Sequence, residues 1–179
     1  FSQEVHETFL DIAVGTGVLL VEEGDAIQPI RFKAIPLPQV CLTSGYDDKI
    51  DGVYRTRSMK LKELMFAYSK PIFNDKMAMD LEANPDKEIK IVESVYRDYS
   101  SVNTERHVFC AIAEEYNHKI YDEEYKGLGS NPYITYRWSK CAGEVYGRGP
   151  LQFALPAIKT SNLVVELILE NAQMSISGM

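Results

Sequence analysis

The side chains best suited to acid–base or metal chemistry in this sequence are three histidines and a large number of carboxylates. His6, His107 and His118 lie far apart along the chain, in a predicted helix, a predicted strand and a predicted turn. An imidazole acts as a base or a metal ligand only when its reaction partner or co-ligands lie within reach. None of the three lies near a serine or cysteine in a nucleophile-elbow setting. We interpret each as a packed or solvated residue.

Phosphate, calcium and thiol chemistry also lack a specific motif. The glycine-rich loop at 15–17 follows a predicted helix and enters a strand, which reverses the order of a phosphate-binding loop. The acids at 47–51 lack the alternating ligands and closing glutamate of a calcium loop, so we interpret them as a solvated hairpin tip. The three cysteines are too widely spaced for a disulfide framework or zinc site, and we expect them reduced and packed. We expect no enzyme active site, no metal and no cofactor.

The charged residues limit the classes of binding partner, although only weakly. Arg55 and Arg57 share one face of a predicted strand. They could contact a phosphate, although such a pair more commonly forms a charged solvent face or an ion pair between subunits. The net charge of −7 argues against a general nucleic-acid binder with a basic surface.

The elements that must position these residues form a mixed pattern of strands and helices. Apolar residues, continuous in the first segment and mostly alternating in the others, predict strands at 17–23, 29–35, 53–59, 89–99, 107–116, 120–125 and 133–138. Apolar residues at helical spacing predict helices at 1–14, 62–68 and 74–83. We therefore expect an α+β chain of antiparallel strands and short helices. We predict no signal peptide and no membrane span, and a start in mid-pattern at Phe1 suggests a piece of a longer protein.

The longest helical pattern begins at Pro150, which suits the first position of a helix. Pro156 predicts a short first turn, a kink, and then about five turns to Met174. The apolar residues surround the axis: Leu163, Val164, Val165, Leu167, Ile168 and Leu169, with Glu166 and Glu170 among them. A soluble monomer cannot cover such a helix on all sides, so we expect it to be central in its domain or packed against copies of itself.

The most distinctive parts of the sequence are short segments spread along the chain. They are FLDIA at 9–13, GTGVLLVEEG at 15–24, IRFKAIPL at 30–37, RW at 137–138, GEVYGRGP at 143–150 and ALPAIKT at 154–160. Taken in this order, they resemble the head-to-tail connecting (portal) proteins of short-tailed phages. Residues 70–130 are the least distinctive part of the resemblance.

This resemblance implies a structural, non-catalytic protein that forms a ring, usually a dodecamer, at one capsid vertex. Double-stranded DNA would pass through the ring without sequence specificity, during packaging by the terminase and during ejection. Capsid or scaffold proteins and tail adaptors would be further partners, with assembly in the host cytoplasm and a final location in the virion. Residues 1–149 would form the α+β wing domain, and residues 150–179 the stem helix that runs toward a clip outside this sequence.

The resemblance also implies roles for individual residues. The wing-to-stem turn would be shaped by Gly143, Gly147, Gly149 and Pro150. Glycine in such turns commonly has positive φ, and we expect this of Gly147 and Gly149. Candidates for the subunit interface are Trp138, Glu144, Tyr146, Arg148, Leu163, Val165 and Ile168. Glu144, Tyr146 and Arg148 would either fix the turn or reach the next subunit. Candidates for the channel face are Lys159, Glu166 and Glu170.

Two other classes of protein remain open from the residues alone. One is a small, non-catalytic α+β module that binds a protein partner through its exposed hairpins. The other is an enzyme fragment whose catalytic residues lie outside the chain. A binding module should be monomeric, whereas a full-length portal protein should sediment as a ring.

Overall fold

Antiparallel strands and short helices make up most of the chain, and one long helix ends it. The computed structural model describes residues 1–100 and 104–178. The helices are α1 (Ser2–Val14), α2 (Leu64–Ala67), α3 (Asp75–Ala83) and α4 (Pro150–Ser177). The strands are β1 (Thr16–Glu23), β2 (Ile30–Ile35), β3 (Val40–Ser44), β4 (Ile50–Lys60), β5 (Glu88–Arg97), β6 (Arg106–Ala113), β7 (His118–Lys126) and β8 (Tyr133–Arg137). The predicted α+β class is confirmed.

The described strands form two antiparallel sheets. The smaller sheet has the order β2-β1-β8, and the larger has the order β3-β4-β5-β6-β7. In the larger sheet Val53 lies opposite Val95, and Arg55 lies opposite Glu93. Because side chains alternate between the faces of a sheet, all four of these residues lie on one face. This inward face carries both apolar cores.

Each core packs different elements onto the larger sheet. The first brings the short helices onto it, with Leu64 and Met77 packed in the same buried cluster as Ile91. The second brings the smaller sheet onto it, with Val18 of β1 packed in the same cluster as Val53. The two sheets and α2 and α3 are therefore held together through apolar contacts on one face of the larger sheet.

Helix α1 packs on the smaller sheet through a largely polar surface. Its fully buried residue is Thr8. The Glu4 carboxylate accepts a hydrogen bond from Ala34 N on the edge strand β2 at 2.7 Å. The Asp11 carboxylate accepts one from Leu37 N at 3.0 Å. The first carboxylate satisfies a backbone N–H group that the edge of the sheet leaves unpaired, and the second satisfies one at the start of the 3-10 turn after β2.

Helix α4 is continuous from Pro150 to Ser177, with Pro156 inside it. The helix is therefore not interrupted at Pro156, and the predicted first turn is continuous with the rest of α4, while the kink stays a prediction. An interior proline removes one hydrogen bond and crowds the carbonyl four residues earlier, but the many bonds on either side sustain a helix of this length. The Pro156 carbonyl also accepts a hydrogen bond from Thr160 Oγ1 at 3.0 Å.

Candidate assembly surface and its connecting turn

Helix α4 has no core of its own in the described part of the chain. Every residue from Pro150 to Gly178 is exposed. Its apolar side chains include Leu163, Val165 and Ile168, which are 56%, 54% and 60% exposed. A large exposed apolar surface of this kind marks a site of contact with another molecule.

The three charged residues of α4 lie on one side of the helix. At about 100° per residue, Lys159, Glu166 and Glu170 fall within about 40° of one another. Leu163 borders this side, whereas Val165 and Ile168 lie at least about 120° from Lys159. We call the three charged residues the polar stripe. The rest of the circumference carries the apolar residues together with several uncharged polar ones, and we call this wide face the apolar arc.

The turn that leads into α4 is built on close approach between backbones. A Cβ atom added to Gly149 would lie 2.6 Å from Val14 O, and one added to Gly147 would lie 2.8 Å from Arg137 Cβ. Even closer contacts would form with the carbonyl oxygens of residues 13 and 15. No side chain fits at either position without movement of the backbone.

Positive φ is not the reason for two of the three predicted turn glycines, so that expectation is corrected. Gly143 has a φ of 78°, with open space around its Cα. Gly149 has a φ of −95°, and Gly147 is not among the residues with positive φ. The sequence pattern identified the glycines correctly as a turn but could not show that a second backbone passes beside them.

Hydrogen bonds hold this turn against the end of α1 and the start of β1, and one links it to the end of β8. Gly149 N donates to Val14 O at 2.9 Å, and Gly147 N donates to Thr16 Oγ1 at 2.8 Å. The Arg137 guanidinium donates to Val145 O at 3.1 Å. These contacts fix where α4 starts relative to the smaller sheet.

The hairpin tip between β3 and β4 contacts the segment that leads into the same turn. Asp48 has a φ of 59°, and its carbonyl oxygen accepts a hydrogen bond from Lys140 Nζ at 3.1 Å. The residues predicted as a solvated hairpin tip therefore also contact the segment between β8 and α4.

The side chains of the GEVYGRGP segment mostly bind within their own chain. Arg148 Nε and Nη2 donate to the two Glu144 carboxylate oxygens at 3.0 and 2.5 Å. The Arg148 guanidinium holds the pKa of that carboxyl below its usual range. The Tyr146 hydroxyl accepts a hydrogen bond from Leu42 N at 3.0 Å. These contacts lie within the chain, both expected roles stay predictions, and Trp138 is 61% exposed.

An interior charge network was missed by the sequence analysis. Arg55 and Glu93 are only 6% and 5% exposed, so the expectation of a solvent face or intersubunit ion pair for Arg55 and Arg57 is wrong. Arg57 Nη2 lies 2.6 Å from Glu93 Oε1, and Arg55 Nη1 lies 3.6 Å from Glu93 Oε2. The Tyr68 hydroxyl donates to the same carboxylate at 2.7 Å. The available signal was a glutamate alternating with buried residues, which requires a cation nearby.

The histidines and cysteines do not assemble into a reactive site. Within residues 1–100 and 104–178, no three His, Cys, Asp or Glu side chains are grouped closely enough to hold a metal ion. The cysteines are free, and Cys41 is exposed on the edge strand β3, which corrects the expectation that all three are packed. Among the helices of the described chain, none is both long and apolar enough to cross a membrane.

His107 is expected to make stability depend on pH. It is 3% exposed, and its Nδ1 shares a hydrogen bond with Ser130 Oγ at 2.8 Å. Burial lowers the pKa of this imidazole, so the folded chain binds the proton less readily than the unfolded chain. The folded chain therefore has its full stability above the imidazole's unfolded pKa of about 6.5. Its free energy of unfolding decreases as the pH falls below that value.

Urea unfolding at about pH 7 and about pH 5 would measure this effect. Other groups titrate in the same range, so the comparison is with His107→Gln, which keeps a polar side chain without the titration. We expect the variant to lose less stability on acidification than the parent. Equal losses in the two proteins would contradict a role for His107.

Comparison with known protein families gives one clear assignment. The family model described as bacteriophage head to tail connecting protein matches residues 1–179, the whole chain. No curated protein matches the chain. Membership in this family gives the protein a structural role in the virion, in assembly with phage capsid and tail proteins. The chain, with its two packed sheets and its exposed terminal helix, belongs to the family of bacteriophage head to tail connecting proteins.

Proposed function

We propose that this connector protein is a subunit of a portal ring, usually a dodecamer, in which residues 1–149 form the wing and residues 150–179 the stem helix. The observation that carries the proposal is the exposed apolar arc of α4. In a ring, each subunit contacts its two neighbours through two different surfaces. A helix with a wide apolar arc can bury both sides of the arc in such an arrangement.

The polar stripe is the surface of α4 that suits the channel. If the arc faces the neighbouring helices, Lys159, Glu166 and Glu170 face the axis together. Two carboxylates and one ammonium per subunit give a net negative lining, which holds DNA phosphates weakly. DNA could then slide through during packaging by the terminase and during ejection, without sequence specificity.

The wing and its turn supply the rigid base that a ring requires. The backbone bonds between the turn and α1 set the direction in which α4 leaves the sheets. Exposed groups such as Trp138 lie beside this base, where a neighbouring subunit would pass. In this proposal the scaffold or capsid protein, the terminase and the tail adaptors bind the assembled ring, which forms in the host cytoplasm.

Aspartate substitutions on the apolar arc test the proposal. Leu163→Asp, Val165→Asp and Ile168→Asp are each expected to leave the chain folded, because these side chains are more than half exposed. In the full-length protein, at least one variant should remain monomeric, because burying an unpaired carboxylate at an interface costs several kcal/mol. Sedimentation velocity would separate monomers from rings.

The matched control is Gln173→Asp. At about 100° per residue, Gln173 lies about 20° from Glu166, on the side of the polar stripe. This variant gains the same charge but should assemble like the parent. If all three arc variants form normal rings, or if the control fails in the same way, the assignment of α4 as the stem helix is wrong. A parent that is monomeric at full length would instead favour the protein-binding module.

A further inference from the structure

A cleft of about 360 Å³ opens where the two sheets diverge. One wall is formed by the end of β1 and the start of β8, and the other by the inward face of the larger sheet and the end of α2. Clefts of this size between packed elements are common sites of ligand binding. Neither the connector role nor the apolar arc of α4 uses this cleft.

The rim of the cleft carries three carboxylates, from Glu22, Glu23 and Glu123. Across the described chain, none of the three takes part in a salt bridge, although many other acids do. Arg57, which lies in the cleft, and the neighbouring Arg55 share the single buried Glu93, so this network has one positive charge in excess. The three glutamates outweigh that charge, so the potential inside the cleft is negative.

Tyrosine rings form the walls beside these carboxylates. Tyr68 stacks on Tyr121 with ring centroids 5.4 Å apart. The hydroxyls of Tyr121 and Tyr125 both donate to Glu123 Oε2, at 3.0 and 3.2 Å. This pairing fixes the carboxylate against the aromatic wall. Burial, followed by the charge of Glu123, raises the pKa of Tyr125, in keeping with a negative environment.

We propose that this cleft binds an alkylammonium or guanidinium group. Aromatic faces next to carboxylates attract such cations through both charge and the ring quadrupole. The alkyl stem of the ligand would lie along the tyrosine wall, while its charged end meets Glu123 and Glu22, which shares the face of β1 that carries Leu20. The cation can come from a lysine or arginine side chain of a neighbouring protein, or from a free aliphatic polyamine.

Isothermal titration calorimetry at low ionic strength would test the site with N-acetyl-arginine amide and spermidine. N-acetyl-glutamine amide serves as the neutral probe of similar size. We expect saturable binding of the two cations, with a dissociation constant on the order of 1 mM, and none of the neutral amide. Tighter binding of the arginine amide would indicate a protein side chain, and tighter binding of spermidine a polyamine.

Two variants locate the binding. Glu123→Gln keeps an acceptor for both tyrosine hydroxyls, and it should weaken cation binding about fivefold. The control is Asp122→Asn, which removes one charge from the outward face of the same strand, where Asp122 pairs with Lys119. It should leave binding unchanged.

A second variant keeps the proposal testable if Glu123→Gln disturbs folding. Glu22→Gln combined with Glu23→Gln changes exposed side chains at the end of β1, and should weaken binding by at least as much. The absence of saturable binding to either cation would overturn the proposal. Equal weakening by Asp122→Asn would also overturn it, since that result would indicate general attraction to an acidic protein.

Discussion

Glu93→Gln is expected to lower the free energy of unfolding by about 3–5 kcal/mol, the usual cost of removing one partner from a buried ion pair. The substitution keeps the shape of the side chain but removes the single carboxylate that faces Arg55 and Arg57. Two buried guanidinium groups would then lie together without a counter-charge. The Arg55 side chain is 7% exposed and the Arg57 side chain 22% exposed, so water can solvate neither fully.

Hydrogen bonds within the network of Glu93, Arg55 and Arg57 make the expected loss of unfolding free energy larger than the loss from breaking an exposed ion pair. The carboxylate also accepts the Tyr68 hydroxyl, which links the larger sheet to the end of α2. In addition, Arg55 Nε and Arg57 Nε are buried without a hydrogen-bond partner in the described chain, so the guanidinium groups depend strongly on Glu93. Tyr68→Phe removes one hydrogen bond to a charged group and should cost about 1.5–3 kcal/mol.

Urea unfolding monitored by circular dichroism would measure both variants. A triple variant, Arg55→Met with Arg57→Met and Glu93→Leu, removes all the charges and provides the decisive comparison. It should recover most of the stability lost in Glu93→Gln, because apolar residues of similar volume often replace buried ion pairs at little cost. If Glu93→Gln unfolds like the parent, the carboxylate does not balance the two arginines.

Local patterns in the sequence were enough to predict most of the elements. The alternation of residues 89–97 predicted β5 and placed Glu93 on the same face as Ile91 and Val95. The pairing of that face with Arg55 depends on the register between β4 and β5, which local alternation does not determine. For this reason the strands were predicted correctly while the charge network was missed.

For the long helix α4, the sequence indicated that one core face could not cover it but did not indicate where its connecting turn would lie. Its apolar residues on several sides predicted a helix that is central in its domain or packed against copies of itself, and its exposure in the described chain excludes the first of these. The position of its turn depends on contact with the end of α1, more than a hundred residues earlier in the sequence. Neither glycine spacing nor helix propensity contains that information. The importance of Gly147 and Gly149 was predicted, but for the wrong physical reason.

Gly149→Ala is the second substitution with a large expected effect, since a single methyl group would enter a space already filled by backbone. Its Cβ would lie against the carbonyl groups of Ala13 and Val14, which belong to the last turn of α1. A flexible side chain could move away, but these carbonyls are held by the helix. We expect a loss of about 3 kcal/mol in the free energy of unfolding, at the upper end of the range for overpacking.

Gly143→Ala tests whether the turn depends on its close approach to α1 or on a glycine with positive φ. Gly143 has the positive φ that was expected of Gly147 and Gly149, but nothing lies within 4 Å of the position that its Cβ would take. Its substitution should therefore cost only the strain of a left-handed alanine, about 1–2 kcal/mol. A greater loss for Gly143→Ala than for Gly149→Ala, measured by urea unfolding, would show that φ controls the turn and that the contact with α1 does not.

The same pair of variants connects the turn to assembly. To accept a methyl group at Gly149, the turn must move away from α1, which would break the hydrogen bond from Gly149 N to Val14 O and change the direction of α4. In a ring, every subunit would repeat that change, so a small rotation would misalign each apolar arc with its neighbour. We therefore expect full-length Gly149→Ala to form few closed rings in sedimentation velocity, even at temperatures where it remains folded. Gly143→Ala should form rings once it is folded, because its added methyl group points into open space and leaves the contact with α1 intact.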